Sequence, residues 1–268
     1  MAEKRMRTLL NKALLLLLLS LAAFQASAAN CDLEPPFARD SQVSRVKVQK
    51  VIDGDTLRLQ DGRLVRLIGV NTPEIDHENG DSEPLAETAR DFLQALIDRQ
   101  QAFILLHYDS ETQDSHGRQL AHVFSPQGSN IQAQLIANGL GIWITVPPNL
   151  RYLDCYRAQE QQSRQQHRGI WAAQYRAPRE TASLGRRDRG FVWMQGTVTR
   201  IGQGKKYIWL NFGEGIAAQV HKDDLQYFPD PTFSTLKNKT VSIKGWLFPY
   251  KNQMVMRLRH PASMDVLD

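Results

Sequence analysis

Short runs of aliphatic and β-branched residues, separated by turn signals, most constrain the fold of this 268-residue chain. The strand-like runs in its first half lie at residues 43–51, 57–59, 64–68, 102–107 and 120–124. Asp53, Gly54 and Asp55 separate the first two runs, and Asp61 with Gly62 is a hairpin signal before the third. This pattern predicts β-strands joined by turns.

Helical patterns alternate with these strands. Residues 83–99 carry apolar side chains at helix spacing, and Asn130 is placed to cap a helix that Gly139 ends. A polar helix over residues 155–168 stops at Gly169. Five strands with three interposed helices predict a mostly β fold with α-helices, a small Greek-key barrel of the OB type.

The last third of the chain has no long helical pattern. Strand-like runs lie at residues 191–201, 207–212, 216–221, 240–248 and 254–259, with a helix-like turn at 223–228. They predict a second, small all-β barrel, similar to OB-fold nucleic-acid-binding modules.

A shift in charge marks the boundary between the two predicted domains. Residues 29–184 carry 16 Lys and Arg against 20 Asp and Glu, whereas residues 185–268 carry 13 against 7. We therefore expect a barrel domain at 30–175, a linker at 176–189 and the small all-β domain at 190–268.

The amino terminus reads as a secretory signal peptide at residues 1–28. A basic stretch is followed by an apolar segment at residues 13–24 and by the small residues Ala26, Ser27 and Ala28. A membrane anchor is the alternative, but the apolar segment is short for a span. We expect an exported protein, secreted or periplasmic, with no stable membrane insertion after cleavage.

Two cysteines, Cys31 and Cys155, remain after the signal segment. In an oxidising compartment they can pair as a disulfide, with two unpaired thiols as the alternative.

Three blocks of polar residues, at positions 51–56, 66–74 and 116–118, stand next to strand-like runs. They supply carboxylates, an amide and two arginines, a set suited to phosphodiester chemistry. A carboxylate can hold a divalent cation, another can deprotonate water, and guanidinium groups can grip a phosphate.

The stretch from residue 46 to residue 171 contains these three blocks and resembles the staphylococcal thermonuclease (micrococcal nuclease) family, whose three active-site segments the blocks match. Gly169, Ile170 and Trp171 are similar to the end of that family's last helix. The resemblance implies an OB-fold nuclease barrel and hydrolysis of DNA or RNA that leaves 3′-phosphates.

The resemblance implies a metal site, most simply for calcium. Asp55 matches a metal carboxylate, and Thr72 matches a residue whose main-chain carbonyl completes the site. Asn71 departs from the family, which usually has an aspartate there, so it offers an oxygen without charge. The alternatives are a plain turn at Asp55 and an ordinary loop residue at Thr72.

The resemblance also assigns catalytic residues. Glu74 matches the proposed general base, and Arg66 and Arg118 match the phosphate-binding pair. A solvated loop glutamate and surface arginines are the alternatives. Ser115 and His116 stand where the family often has lysine and tyrosine.

The carboxyl-terminal domain offers a basic surface with aromatic side chains, namely Tyr207, Trp209, Trp246 and Tyr250. Strand aromatics are also common core residues, so both readings stay open. Three functions remain: an exported nuclease, a non-catalytic nucleic-acid-binding protein on a degenerate nuclease barrel, and an exported protein-interaction module.

Overall fold

A computed structural model describes residues 30–37, 40–78, 80–172, 177–213 and 215–268. The predicted signal peptide at 1–28 lies outside these residues, as do residues 173–176 at the predicted domain boundary. Within the described ranges, we find no helix with the length and apolar character that a bilayer crossing requires.

The amino-terminal half contains a closed barrel of five strands. Its strands and two flanking short ones are β1 (Val43–Asp53), β2 (Thr56–Leu59), β3 (Leu64–Leu67), β4 (Val70–Asn71), β5 (Phe103–His107), β6 (Gln119–Phe124) and β7 (Ile142–Trp143). The barrel order is β1-β2-β3-β6-β5, with β5 pairing back onto β1. The pairs are antiparallel except for β3 with β6. The predicted OB-type barrel is confirmed.

Three α-helices accompany the barrel in the described residues: α1 (Ala86–Asp98), α2 (Ile131–Ala137) and α3 (Leu153–Gln165). The predicted cap is confirmed, because Asn130 Oδ1 accepts a hydrogen bond from the Ala133 backbone N–H at 2.9 Å. Helix α1 buries Ala89, Leu93 and Ile97 on one face, as its apolar spacing predicts.

The carboxyl-terminal part is all-β apart from short 3₁₀ turns, as predicted. Its strands are β8 (Arg179–Glu180), β9 (Gly190–Thr197), β10 (Arg200–Gln203), β11 (Tyr207–Gly213), β12 (Ile216–His221), β13 (Thr240–Tyr250), β14 (Gln253–Arg257) and β15 (Met264–Val266). They form one eight-stranded sheet in the order β10-β11-β12-β14-β13-β9-β8, with β15 also on β13. The predicted helical turn is a 3₁₀ helix at Lys222–Tyr227.

Two details of this sheet differ from the sequence expectation. The run expected as one strand at 191–201 is divided, because the backbone N–H groups of Val198 and Thr199 bond to Lys239 and Asn211. The chain changes partner there, from β13 to β11. Strand β8 lies inside the segment expected to be a linker and pairs with β9.

Side chains of β13 point alternately into the core of the carboxyl-terminal sheet and towards the barrel part. Val241, Ile243 and Leu247 point into the sheet's own core. On the opposite face, Lys244 Nζ lies 2.7 Å from Glu160 Oε1 of α3. The rings of Trp171 and Trp193 meet edge to face with centroids 5.8 Å apart. The barrel part and the sheet therefore share buried contacts.

The predicted pairing of Cys31 and Cys155 is confirmed as a disulfide that closes a span of 124 residues. Cys155 lies in the first turn of α3. The segment after Cys31 is held further by a bond from Leu33 N–H to the Gly128 carbonyl at 2.8 Å.

Candidate active site

The first polar block forms a tight turn between β1 and β2. The Asp55 backbone N–H donates to Asp53 Oδ1 at 3.0 Å, which closes the turn. Between them, a Cβ on Gly54 would lie 2.7 Å from Thr72 Oγ1 and 2.8 Å from Ala89 Cβ. Only glycine lets this turn approach Thr72 so closely, and the contact brings the first and second blocks together.

The Asp55 carboxylate is the buried centre of the site, with 3% of the residue exposed. Its Oδ2 accepts from the Thr72 backbone N–H at 3.0 Å and pairs with Arg66 Nη2 at 2.9 Å. Burial raises the pKa of Asp55 to about 7, against the opposing pull of Arg66. A carboxylate in this environment is stabilised in its charged form by any added positive charge.

The Arg66 guanidinium lies inside the site rather than on the outer surface of the barrel. Its Nη1 donates to the carbonyls of Leu67 at 2.9 Å and Val70 at 2.8 Å. Its Nη2 donates to Asn71 Oδ1 at 3.2 Å besides pairing with Asp55. These bonds fix Arg66 in one orientation.

Asn71 and Thr72 are positioned by the short pair of β4 and β7, in which Asn71 pairs with Ile142. Both residues are buried. The Asn71 side-chain amide lies 3.4 Å from the Thr72 carbonyl oxygen, to which it donates. The Asn71 Oδ1, the Thr72 carbonyl and the Asp55 carboxylate thus lie next to one another.

Glu74 lies at the solvent-exposed edge of this group. Its backbone N–H donates to Glu83 Oε2 at 3.1 Å, and its backbone carbonyl accepts from the Glu83 N–H at 2.9 Å. These two bonds hold the backbone of Glu74 and do not use its carboxylate. Partial burial of the carboxylate away from water raises the pKa of Glu74, and the negative charge of Asp53 raises it further. The positive charges of Arg66 and Arg118 lower it by less.

Arg118 follows a turn that glycine permits, since Gly117 has a φ of +79°. Arg118 Nε donates to Asp114 Oδ2 at 2.8 Å, and Asp114 Oδ1 accepts the backbone N–H groups of His116 and Arg118. These bonds lower the pKa of Asp114 against the effect of its partial burial. His116 projects into solvent with 78% of its side chain exposed.

Two cavities open onto these residues. Arg66 and Arg118 both line one of about 480 Å³, and Asn71, Thr72 and Glu74 line another of about 220 Å³. Arg66 joins the two cavities, because it contacts both Asp55 and Asn71. The six residues singled out in the sequence therefore gather in one region: Asp55, Arg66, Asn71, Thr72, Glu74 and Arg118.

Sequence reasoning missed several contributors to this region. Asp53 was read only as a turn residue and Glu83 only as the start of a helical pattern, yet the charges of both raise the pKa of Glu74. Trp246 lines both cavities, and Arg189 lines the smaller one, although they belong to the carboxyl-terminal part. No local pattern could have placed them here.

The donors of this region fit a hard divalent cation. Carboxylate, amide and main-chain carbonyl oxygens are the ligands that such ions take. In the structure, Asp55 Oδ2 and Asn71 Oδ1 already converge on one positive group, the Arg66 guanidinium. Within the described ranges, no cluster of three or more His, Cys, Asp or Glu side chains suited to a metal is found. A cation held by Asp55, Asn71 and the Thr72 carbonyl would have one buried carboxylate and two neutral oxygens as ligands.

Comparison with known proteins agrees with this geometry. Residues 64–173 match the model of the staphylococcal nuclease homologue family. The thermonuclease of Staphylococcus intermedius is 32% identical over 142 residues, which cover 51% of this chain and 83% of that protein. The thermonuclease of Staphylococcus hyicus is 32% identical over 129 residues, covering 47% of this chain and 75% of that protein.

Endonuclease YncB of Bacillus subtilis is 29% identical over 143 residues, covering 52% of this chain and 66% of that protein. The family model and these relatives, named thermonuclease and endonuclease, support a hydrolase that cleaves phosphodiester bonds. The chain belongs to the staphylococcal nuclease family.

Proposed function

We propose that this chain is an exported, metal-dependent nuclease that hydrolyses phosphodiester bonds of DNA, RNA or both. The observation that carries the proposal is the contact group of Asp55, Arg66 and Asn71, with Glu74 and Arg118 opening onto the adjoining cavities. Relatives named thermonuclease and endonuclease support it.

The proposed cation site consists of the Asp55 carboxylate, Asn71 Oδ1 and the Thr72 carbonyl. A bound divalent ion would stabilise charge on the phosphate oxygens and polarise water. We propose calcium, since all three donors are oxygens of the kind it takes. Because Asn71 brings no charge, we expect weaker binding than at a site with two carboxylates.

Glu74 is proposed as the general base. Its side chain is accessible, and its raised pKa makes it a better proton acceptor near neutral pH than an ordinary carboxylate. It would take a proton from water as the water oxygen bonds to phosphorus. The bond from phosphorus to the 5′-oxygen then breaks, the 5′-oxygen takes up a proton, and a 3′-phosphate remains.

Arg66 and Arg118 are proposed to hold the phosphate as its charge develops. Arg118 can do so with the nitrogens that Asp114 leaves free, because Asp114 takes its Nε. Arg66 would need to exchange part of its bonding to Asp55 and Asn71, which an incoming cation would make easier by occupying the same oxygens.

Export is proposed from the signal-like residues 1–28 and agrees with the disulfide, since such bonds persist in oxidising compartments.

An alternative function is a non-catalytic nucleic-acid-binding protein on a degenerate nuclease barrel, in which the same cleft binds nucleic acid without cutting it. Asn71 in place of a carboxylate favours this alternative.

Digestion of single- and double-stranded DNA and RNA by residues 30–268, with calcium, magnesium, manganese or EDTA, tests the proposal. We expect calcium-dependent cleavage whose products need a phosphatase before a polymerase can extend them. Cleavage that EDTA leaves unchanged would overturn the metal site. Salt-sensitive binding without cleavage under any metal would support the degenerate binding protein.

A further inference from the structure

Trp246 stands at the junction between the proposed active site and the carboxyl-terminal sheet. It is common to three cavities: the two described above and a third of about 440 Å³ between the barrel part and the sheet. It lies outside the residues that match the nuclease family. With 42% of its surface exposed, it is among the most exposed large apolar residues described.

The fold fixes the Trp246 ring in place. It sits on β13, directly opposite Phe191 of β9 in the strand register, and the two rings meet edge to face with centroids 5.3 Å apart. Two residues before it on the same face, Lys244 is buried against Glu160 of α3. The strand is thus pinned to the barrel part, while the exposed side of the ring stays accessible.

The surroundings of this ring suit nucleic acid. The cavity that holds Arg66 and Arg118 also has Trp246 and Arg259 in its wall, and Arg189 with Trp246 lines the smaller cavity beside Glu74. Arg259 is partly neutralised by Asp224 at 3.5 Å, and the larger cavity also contains Glu111 and Asp114. The exposed arginines Arg189 and Arg257 extend the basic rim.

We propose that Trp246 is a stacking platform for a base of the nucleic-acid strand, next to the phosphate held at the active site. This inference rests on the proposed function and names its substrate-binding extension: an unpaired nucleotide stacks on Trp246 while Arg189 and Arg259 contact the neighbouring phosphates. An aromatic face with flanking arginines is the usual arrangement for binding single strands without sequence preference. The carboxyl-terminal sheet therefore lengthens the substrate groove.

The binding test uses the Glu74→Gln variant, so that cleavage does not interfere, and an oligothymidylate that spans several nucleotides. We expect quenching of tryptophan fluorescence on binding, and about tenfold weaker affinity when Trp246→Ala is added. Trp246→Phe should restore most of the affinity, because it keeps an aromatic face. Val266→Ala removes another exposed apolar side chain of the same sheet, one that lines none of the three cavities, and should bind like the parent.

The kinetic test compares the oligothymidylate with the methyl phosphodiester of thymidine 3′-phosphate, whose leaving group has no base or other ring that could stack on Trp246. Trp246→Ala should raise KM about tenfold for the first substrate and leave both constants for the second unchanged. Equal losses on both substrates, or oligonucleotide binding and cleavage like the parent's, would overturn the inference.

Failure of the proposed function gives a different result. If no variant cleaves either substrate, but the oligothymidylate still quenches tryptophan fluorescence and binds about tenfold more weakly to Trp246→Ala, the platform stands and the nuclease does not. If the oligothymidylate binds equally with and without the Trp246 ring, the platform is wrong whether or not cleavage occurs, and a protein partner becomes the better occupant of this face.

Discussion

The buried pair of Lys244 and Glu160 gives a test of how the carboxyl-terminal sheet is held to the barrel part. Glu160 is 2% exposed and accepts three bonds: from Lys244 Nζ at 2.7 Å, from Arg164 Nη2 at 2.7 Å and from Trp143 N–H at 2.9 Å. Lys244 is 8% exposed, with its ammonium 4.9 Å from the Trp143 ring centre. Burial lowers the pKa of Lys244, and Glu160 opposes this.

The two partners should respond unequally to substitution. Glu160→Gln leaves the Lys244 charge buried without its anion, which should cost about 3–5 kcal/mol of unfolding free energy. Lys244→Met keeps the volume, and Glu160 retains Arg164 and the Trp143 N–H, so the loss should be about 1–2 kcal/mol. The double variant should be more stable than Glu160→Gln alone, because it leaves no uncompensated ammonium.

Urea unfolding followed by tryptophan fluorescence measures these differences, since Trp143, Trp171 and Trp193 surround the pair. Two results would refute the reasoning: Lys244→Met being as destabilising as Glu160→Gln, or losses that simply add in the double variant.

Three further predictions concern the metal site, the disulfide and the buried histidines. Asn71→Asp adds a second carboxylate, so calcium should bind at least about tenfold more tightly by isothermal titration calorimetry; an unchanged affinity would contradict the assigned ligand. Cys31→Ser opens the link to Cys155, and on loop-entropy grounds it should lower the unfolding free energy by about 5 kcal/mol. A loss below about 1 kcal/mol in urea unfolding would show that the link constrains little. Burial lowers the pKa of His107 and His122 in the folded state. Below pH 6.5, the ordinary pKa of histidine, the unfolded chain binds protons at these residues that the folded chain does not bind. The free energy of unfolding therefore decreases as the pH falls. In His122→Phe, the melting temperature should therefore decrease less as the pH is lowered below 6.5. The same pH dependence in the variant and the parent would contradict this role of His122.

The sequence predicted those parts of the fold that depend on neighbours along the chain. The Asn130 cap, the barrel strands and the apolar face of α1 follow from local chemistry, and each is present. One helix boundary differs from the expectation: α3 runs over Leu153–Gln165, whereas residues 155–168 were expected. The division between β9 and β10 depends on partners in β11 and β13, which no local pattern contains.

The site was predictable as an inventory but not as a set of contacts. The motifs pointed to Asp55, Arg66 and Asn71, yet only the fold shows that the Arg66 guanidinium bridges the other two. Trp246 looked like any strand aromatic, because its role depends on how β13 is oriented against the barrel part. Long-range packing of this kind is set by surfaces that form only after the strands pair.

Cleavage by the Glu74→Gln variant tests the central claim most directly. The substitution keeps the size of the side chain. The hydrogen bonds between residues 74 and 83 use the backbone of Glu74, so they do not depend on the Glu74 carboxylate. We expect an unchanged melting temperature and a loss of DNA cleavage by at least about a hundredfold with calcium present. Glu78→Gln, an exposed glutamate four residues further along the chain, should cleave like the parent. Full activity in Glu74→Gln, or equal losses in both variants, would contradict the assignment of Glu74 as the base of a nuclease.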